Sequence, residues 1–238
     1  SEVPFRPAAL DKYLRCPLSY FYQNVIGLSS KREDTAYLEF HRAVYRTIGM
    51  LKDLREAGES ITDEVAQEVF EAEWEDKGPK EHFLAELYKA SAQEMVGNAA
   101  EHMRESAGAI VSEYRLAIEG GEIDVSFDLA QFPDEGGPIL IQRMRTGRPT
   151  KKEADKDIYG LLIKAGEELG NGAHPQVETV YLRDKSAVPV IMSDDKVSNR
   201  IAKYESVIKN IADGRFRAKE DDYDCPRCPQ YFICPAAN

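Results

Sequence analysis

Three of the four cysteines crowd the end of the chain, in Cys225-Pro-Arg-Cys228-Pro-Gln-Tyr-Phe-Ile-Cys234-Pro, and the fourth, Cys16, lies more than two hundred residues upstream. Three thiols this close cannot all pair with one distant thiol, so a two-disulfide framework would need a short bridge inside the tail. A shared inorganic centre accounts for all four. Thiolates are soft ligands that suit Fe–S clusters or Zn²⁺. A structural zinc site would usually show two local C-x₂-C pairs, whereas here one cysteine stands alone. The spacing therefore points to a [4Fe–4S] cluster clasping the N- and C-terminal segments through Cys16, Cys225, Cys228 and Cys234, with zinc or unpaired core thiols as the alternatives. A proline follows each cysteine, as a tight wrapping loop would use. The expected role is a staple that removes unfolded-chain freedom; nothing in the sequence suggests electron transfer.

A second set of chemically capable residues is basic. Arg143, Arg145, Arg148, Lys151 and Lys152 form the only dense positive stretch. Such a run is usually a solvated face, but it could also meet phosphates. His41 falls on an amphipathic helical pattern, while His82, His102 and His174 show no ligand spacing and read as surface residues. Tyr13, Tyr20, Phe21 and Tyr22 could stack on bases, although packing around the cysteine site is the simpler expectation.

The elements that must position these groups follow from periodicity. Residues 8–25 carry apolar side chains at helical spacing, interrupted by Pro17, which predicts two short helices meeting near Cys16. Further helices are expected over 34–56, over 62–75 with Thr62 as N-cap, and over 79–106. Alternation then predicts strands over 109–118, over 122–132 after the Gly120-Gly121 turn, and over 138–145 after a turn at 133–137. A helix over 151–169, a strand over 176–183 and a helix over 193–213 complete the chain. The expected fold is a single α/β domain over 1–238, with a helical first half covering a central sheet.

Composition bounds the function. Among 238 residues, 42 acids face 31 lysines and arginines, a net charge of −11, and the mean hydropathy is −0.49. This is a globular composition. No run of about 18 apolar residues is present, so no membrane span is expected, and with no secretory pattern the expected location is cytoplasmic. A charge of −11 excludes a simple electrostatic nucleic-acid binder; DNA contact would need a local basic groove or a more basic partner. The chain opens on Ser1, which we read as the start of a piece excised from a longer protein.

Taken in order, the motifs resemble the RecB-like nucleases of the PD-(D/E)XK superfamily. Leu10-Asp11-Lys12-Tyr13-Leu14-Arg15-Cys16-Pro17-Leu18-Ser19-Tyr20-Phe21-Tyr22 resembles the start of such domains, and Cys225–Cys234 resembles their Fe–S tail, as in AddB-type subunits and CRISPR-associated Fe–S exonucleases. Phe40-His41 is similar to the family's metal-binding histidine on an early helix. Gly121-Glu122-Ile123-Asp124 is similar to its G-x-I-D, whose Asp holds the metal, and Thr146-Gly147-Arg148-Pro149 to the T-G-(K/R)-P after its third motif. Tyr159, four residues after Asp155, falls where the family has Q-x-x-x-Y. The resemblance implies a restriction-endonuclease-like core, a central mixed sheet flanked by helices, with a helical lobe inserted over about 26–106 and Fe–S-clasped termini.

The departures carry as much as the matches. Where the family's third motif reads D-x-K-T-G, this chain reads Arg143-Met144-Arg145-Thr146-Gly147. The metal-binding acid has become Arg143 and the lysine that serves the nucleophilic water has become Arg145; slipping the register by one offers only Gln142 and Met144. A Mg²⁺ nuclease site needs hard oxygen ligands. His41, Asp124, Arg143 and Arg145 together would be net positive, and a guanidinium cannot act as a base. The expectation is therefore a degenerate site in which Asp124 pairs with Arg143 and Arg145 is left to meet a phosphate. Arg143, Arg145, Arg148, Lys151, Lys152 and Tyr159 are the expected DNA contacts. The implied role is a non-cutting, DNA-binding or scaffolding module working with single-stranded DNA and a UvrD-like helicase domain or another recombination subunit. The alternative is an active Mg²⁺- or Mn²⁺-dependent DNA exonuclease using His41, Asp124 and a migrated acid such as Asp128 or Glu113.

Overall fold

The computed structural model describes residues 3–28, 35–106, 109–132 and 137–236. The chain divides into two compact units, each gathered from distant segments. One unit takes residues 33–114 and 126–192, and the other takes 1–32, 115–125 and 193–238.

The larger unit sets three helices on a mixed sheet. Helix α3 (Ala36–Glu56) begins where the Thr35 hydroxyl accepts the Leu38 N–H, and α4 (Asp63–Lys77) begins at Thr62, whose hydroxyl accepts the Val65 N–H, with Asp63 and Glu64 in the first turn. These caps satisfy orphan amides and favour the positive end of the helix dipole. Helix α5 (Ala85–Glu105) starts later than its sequence pattern suggests. The reason is local: His82 Nδ1 takes the Leu84 N–H at 3.2 Å, and the Pro79 carbonyl takes the His82 N–H, so 79–84 closes as turns. The apolar faces of the three helices interlock through Phe40, Val44, Leu51, Phe70, Trp74, Met95, Val96 and Met103, and this core continues into the sheet at Met144, Val180 and Leu182.

The sheet runs β1 (Ala109–Ile110), β4 (Leu129–Phe132), β5 (Leu140–Arg145), β6 (Gln176–Tyr181) and β7 (Ser186–Pro189). β5 and β6 are parallel, Arg143 opposite Thr179 and Arg145 opposite Tyr181; the other neighbours are antiparallel. The parallel pair requires a crossover, supplied by α6 (Ile158–Leu169). Strand period then decides which face each residue of β5 serves. Met144 and Gln142 point to the helical core, where His102 reaches Gln142 at 2.8 Å, so His102 is a packing residue rather than a surface one. Ile141, Arg143 and Arg145 share the opposite face. Gly166 on α6 lies so close to this face that a Cβ there would come within 2.6 Å of Ile141 Cδ1 and 2.8 Å of the rigid Pro175 ring. Gly166→Ala is expected to destabilise the fold by about 1–3 kcal/mol, the usual cost of overpacking, and a thermal melt checks this.

The smaller unit contains α1 (Pro7–Arg15), α2 (Pro17–Tyr20) running into a π-helical turn over Phe21–Val25, the hairpin of β2 (Glu113–Ile118) and β3 (Gly121–Ser126), and α7 (Asp194–Ala212). The proline that opens α2 ends α1 at Cys16, as the sequence pattern suggests. Phe5 adds to the hairpin, its N–H donating to the Glu122 carbonyl and its carbonyl accepting the Asp124 N–H. Tyr13, Tyr20 and Phe21 gather around Phe216, with ring centroids 5.0–6.2 Å apart. These aromatics are packing residues.

The turn expected at 133–137, with Asp134, falls mostly outside the described residues. No helix among the described residues is long and apolar enough to cross a membrane.

Candidate nucleic-acid interface and cysteine site

The four cysteines meet in the smaller unit. All are free thiols, and all four line one cavity of about 710 Å³, bordered also by Lys12, Arg15 and Ser19. Cys16 arrives at the break between α1 and α2; Cys225 opens a 3₁₀ turn (Cys225–Arg227), and Cys234 follows a second (Tyr231–Ile233). The tail is folded by its own polar groups. The Asp221 carboxylate accepts the N–H groups of Tyr223 and Asp224, both at 2.8 Å, and these bonds hold its pKa below the ordinary value. The Asp221 N–H in turn points at Cys225 Sγ, 3.2 Å away. Buried Gln230, which sequence reasoning passed over, accepts from Ser19 at 3.2 Å and Gln23 at 3.0 Å, tying the tail to the first helices.

The donor set is soft and fully thiol. Four thiolates about 2.3 Å from a single tetrahedral zinc would lie about 3.8 Å apart. Among the described residues no three of these sulfurs come within 4.8 Å of one another.

The second site lies on β5 of the larger unit. Arg143 and Arg145 project from one face and lean toward a single carboxylate, Glu153, whose Oε1 lies 3.7 Å from Arg143 Nη1 and 3.5 Å from Arg145 Nε. Glu153 is 8 % exposed. Its closer partners are Lys156 at 2.5 Å and the Tyr159 hydroxyl, which donates at 3.1 Å. Burial pushes the Glu153 carboxyl up, but Lys156, Arg145 and Arg143 together outweigh it and hold the pKa below the ordinary carboxylate value. The Arg143 guanidinium also sits over the Tyr159 ring, 5.5 Å from its centroid. Behind the arginines, Asp128 accepts the Met144 N–H at 2.8 Å. Burial raises its pKa despite that bond and the charges of Arg143, Lys52 and Arg145.

His41, on α3, shares a hydrogen bond of 2.8 Å between its Nδ1 and the Thr146 hydroxyl. Burial and then the Arg145 charge lower its pKa below that of free imidazole. Its Nε2 is buried without a hydrogen-bond partner among the described residues, and so is Arg143 Nη1.

Several sequence expectations change. Asp124 takes Arg115 as its ionic partner, 3.3 Å away on the neighbouring strand β2, and Arg143 takes Glu153; the sequence reading paired Asp124 with Arg143. Tyr159, expected to touch DNA, is 0 % exposed, with its hydroxyl also 2.7 Å from Thr179, so it supports the site from within. Asp128 does not continue the β3 face; it lies in the bend before β4. Arg148, Lys151 and Lys152 are exposed, in the turns beyond β5. Asp155 is exposed and does not join the site, because the predicted helix begins only at Ile158 and 150–157 folds as turns. That fold turns Glu153 inward.

The sequence pattern of the PD-(D/E)XK nuclease superfamily matches residues 4–235. The chain belongs to that superfamily, and its mixed sheet flanked by helices is an α/β nuclease fold. Comparison with curated proteins gives no match.

Proposed function

We propose that this chain is a non-cutting member of the superfamily, a DNA-binding and scaffolding module of RecB-like type for a repair or recombination helicase assembly. One observation supports this above the others. The two β5 positions that carry the superfamily's acid and lysine hold Arg143 and Arg145, which share one buried carboxylate with Lys156. Three cations around one acid repel a divalent metal and attract a phosphate. No set of three metal-ligand atoms among the described residues includes His41, Asp128 or Glu153. Asp124, in the smaller unit, is engaged by Arg115, whereas Mg²⁺ chemistry needs a set of hard oxygen ligands. Exposed Arg148, Lys151 and Lys152 extend the positive surface that a single strand would follow.

In the smaller unit, Cys16, Cys225, Cys228 and Cys234 would hold a [4Fe–4S] cluster as thiolates. Bound there, the cluster supplies iron–sulfur bonds between the two ends of the chain. The overall charge of −11 makes the helicase or another recombination subunit the expected source of any further DNA affinity.

The test is incubation with labelled single-stranded DNA in Mg²⁺ and then Mn²⁺. Retained binding with intact DNA is expected. Metal-dependent cleavage that vanishes in Asp124→Ala would overturn the reading and establish the exonuclease instead.

A further inference from the structure

A groove of about 530 Å³ runs between α1 and α7 in the smaller unit, apart from the cysteines and from β5. Part of its lining is a stripe of α7 at helical spacing, formed by Asn199, Ala202, Lys203, Ser206, Val207 and Asn210. Leu14 and Pro17, at the junction of α1 and α2, add aliphatic surface, and the chain leaving α7 contributes Arg217, Ala218 and Lys219. Lys203, Arg217 and Lys219 bring three positive charges, and among the described residues no carboxylate lines the groove. That sign is opposite to the chain as a whole, whose net charge is −11. The neighbouring acids are engaged elsewhere. Glu220, Asp221 and Asp222 border the cysteine cavity, Asp213 pairs with Arg215 at 3.1 Å, and Asp11 accepts the Tyr204 hydroxyl at 2.8 Å.

The segment after α7 adds main-chain groups. Phe216 and Ala218 are half-buried while Arg217 and Lys219 are exposed, the alternation of an extended chain. Among the described residues, the backbone of 216–219 makes no hydrogen bond to another backbone group. A segment of this kind offers donors and acceptors that an incoming strand can use.

We propose that this groove docks an acidic, apolar peptide segment of a protein partner, laid in extended form along residues 216–219. Carboxylates of the partner meet Lys203, Arg217 and Lys219, and its alternate apolar side chains cover Leu14, Pro17 and Ala202. Two features favour a peptide over a nucleic acid. The one ring in the lining among the described residues, Tyr13, is 6 % exposed and its hydroxyl donates to the Arg215 carbonyl, so no base can stack on it. Three cations are also few for a polyanion approaching a chain of this charge, whereas a peptide adds aliphatic contact to the charge match. Such docking is independent of whether β5 binds or cuts DNA.

The experiment titrates the full chain, labelled with ¹⁵N, against fluorescent ten-residue peptides in which aspartate alternates with leucine, valine or phenylalanine. The same peptides with lysine for aspartate, and a ten-nucleotide single strand, are the comparison probes. Anisotropy reads affinity, and the amide resonances of Arg217, Ala218 and Lys219 read location. An acidic peptide is expected to bind saturably, to shift those amides and to weaken as salt rises, while the lysine peptides do not bind. Arg217→Glu and Ala202→Glu, both at exposed positions, are each expected to weaken binding about 5-fold or more through like-charge repulsion, with wild-type melting curves. If the single strand shifts these amides and no acidic peptide does, the groove is a nucleic-acid track and the inference falls. If the peptides bind with these amides unmoved and both variants unaffected, it falls as well. Equal binding of the lysine peptides removes the charge match and overturns it. If no probe binds below about 1 mM, the inference is refuted and solvent covers the groove.

Discussion

On the proposed [4Fe–4S] centre, serine at position 16 is expected to abolish iron binding and cost much of the stability of the unit that holds the cysteines. Cys16 and Cys225 close a loop of about 210 residues, and cross-linking a loop of that length removes unfolded-chain entropy worth about 5 kcal/mol. The two ends are also joined by the packing of Tyr13, Tyr20 and Phe21 around Phe216 and by hydrogen bonds that are each weak by comparison. Gln230 to Ser19 and Gln23, and Lys219 to the Leu14 carbonyl at 3.1 Å, are hydrogen bonds worth about 1 kcal/mol each. A cluster left with three protein ligands and an exposed iron is labile, so Cys228→Ser should do similar damage although it changes only a local contact. Iron and acid-labile sulfide content, visible absorption and the melting temperature of wild type and both variants provide the measurement. Iron-free, colourless wild type with stoichiometric zinc would overturn the Fe–S assignment. Cys16→Ser with wild-type iron and melting temperature would overturn the staple.

What the sequence made legible, and what it hid, follows from where each signal resides. Caps are local chemistry, so Thr62 announced α4 correctly. Strand alternation is nearly local, and it announced the strand that carries Arg143 and Arg145. The convergence of the four cysteines on one cavity was suggested by their spacing, which is a property of the chain itself. Glu153 was invisible for the opposite reason. Its stretch has helical period, yet in the structure its backbone folds as turns while its carboxylate meets Lys156, Arg145 and Arg143. The last two are contributed by another strand, and only the tertiary fold brings them near. The same ordering error drew attention to Asp155, whose four-residue spacing to Tyr159 has meaning only inside a helix that begins later, at Ile158. Gln230, a buried polar residue joining distant segments, and the short edge strand β7 carry no periodic signal at all.

Glutamine in place of Glu153 is expected to lower the stability of the larger unit by about 3 kcal/mol. The substitution is nearly isosteric and leaves an oxygen for the Tyr159 hydroxyl, so packing changes little. What is lost is the carboxylate shared by Arg143, Arg145 and Lys156. Removing one partner of a buried ion pair costs about 3–5 kcal/mol, because the other charge remains desolvated; partial exposure of the three cations places this site at the low end. For a chain of this size the loss corresponds to roughly 6–12 °C in melting temperature. The pH dependence separates a charge effect from a packing effect. Because the folded pKa of Glu153 lies below its unfolded value of about 4.3, its contribution is present above that pH and disappears as the pH falls through the folded value. His41, also depressed, acts in the same direction but in a higher window, beginning below about 6.5. Glu153→Gln should therefore flatten the acid limb of the stability curve below about pH 4.3 while leaving the His41 limb in place. A melting temperature and acid limb identical to wild type would mean that the arginines are balanced by solvent rather than by this carboxylate.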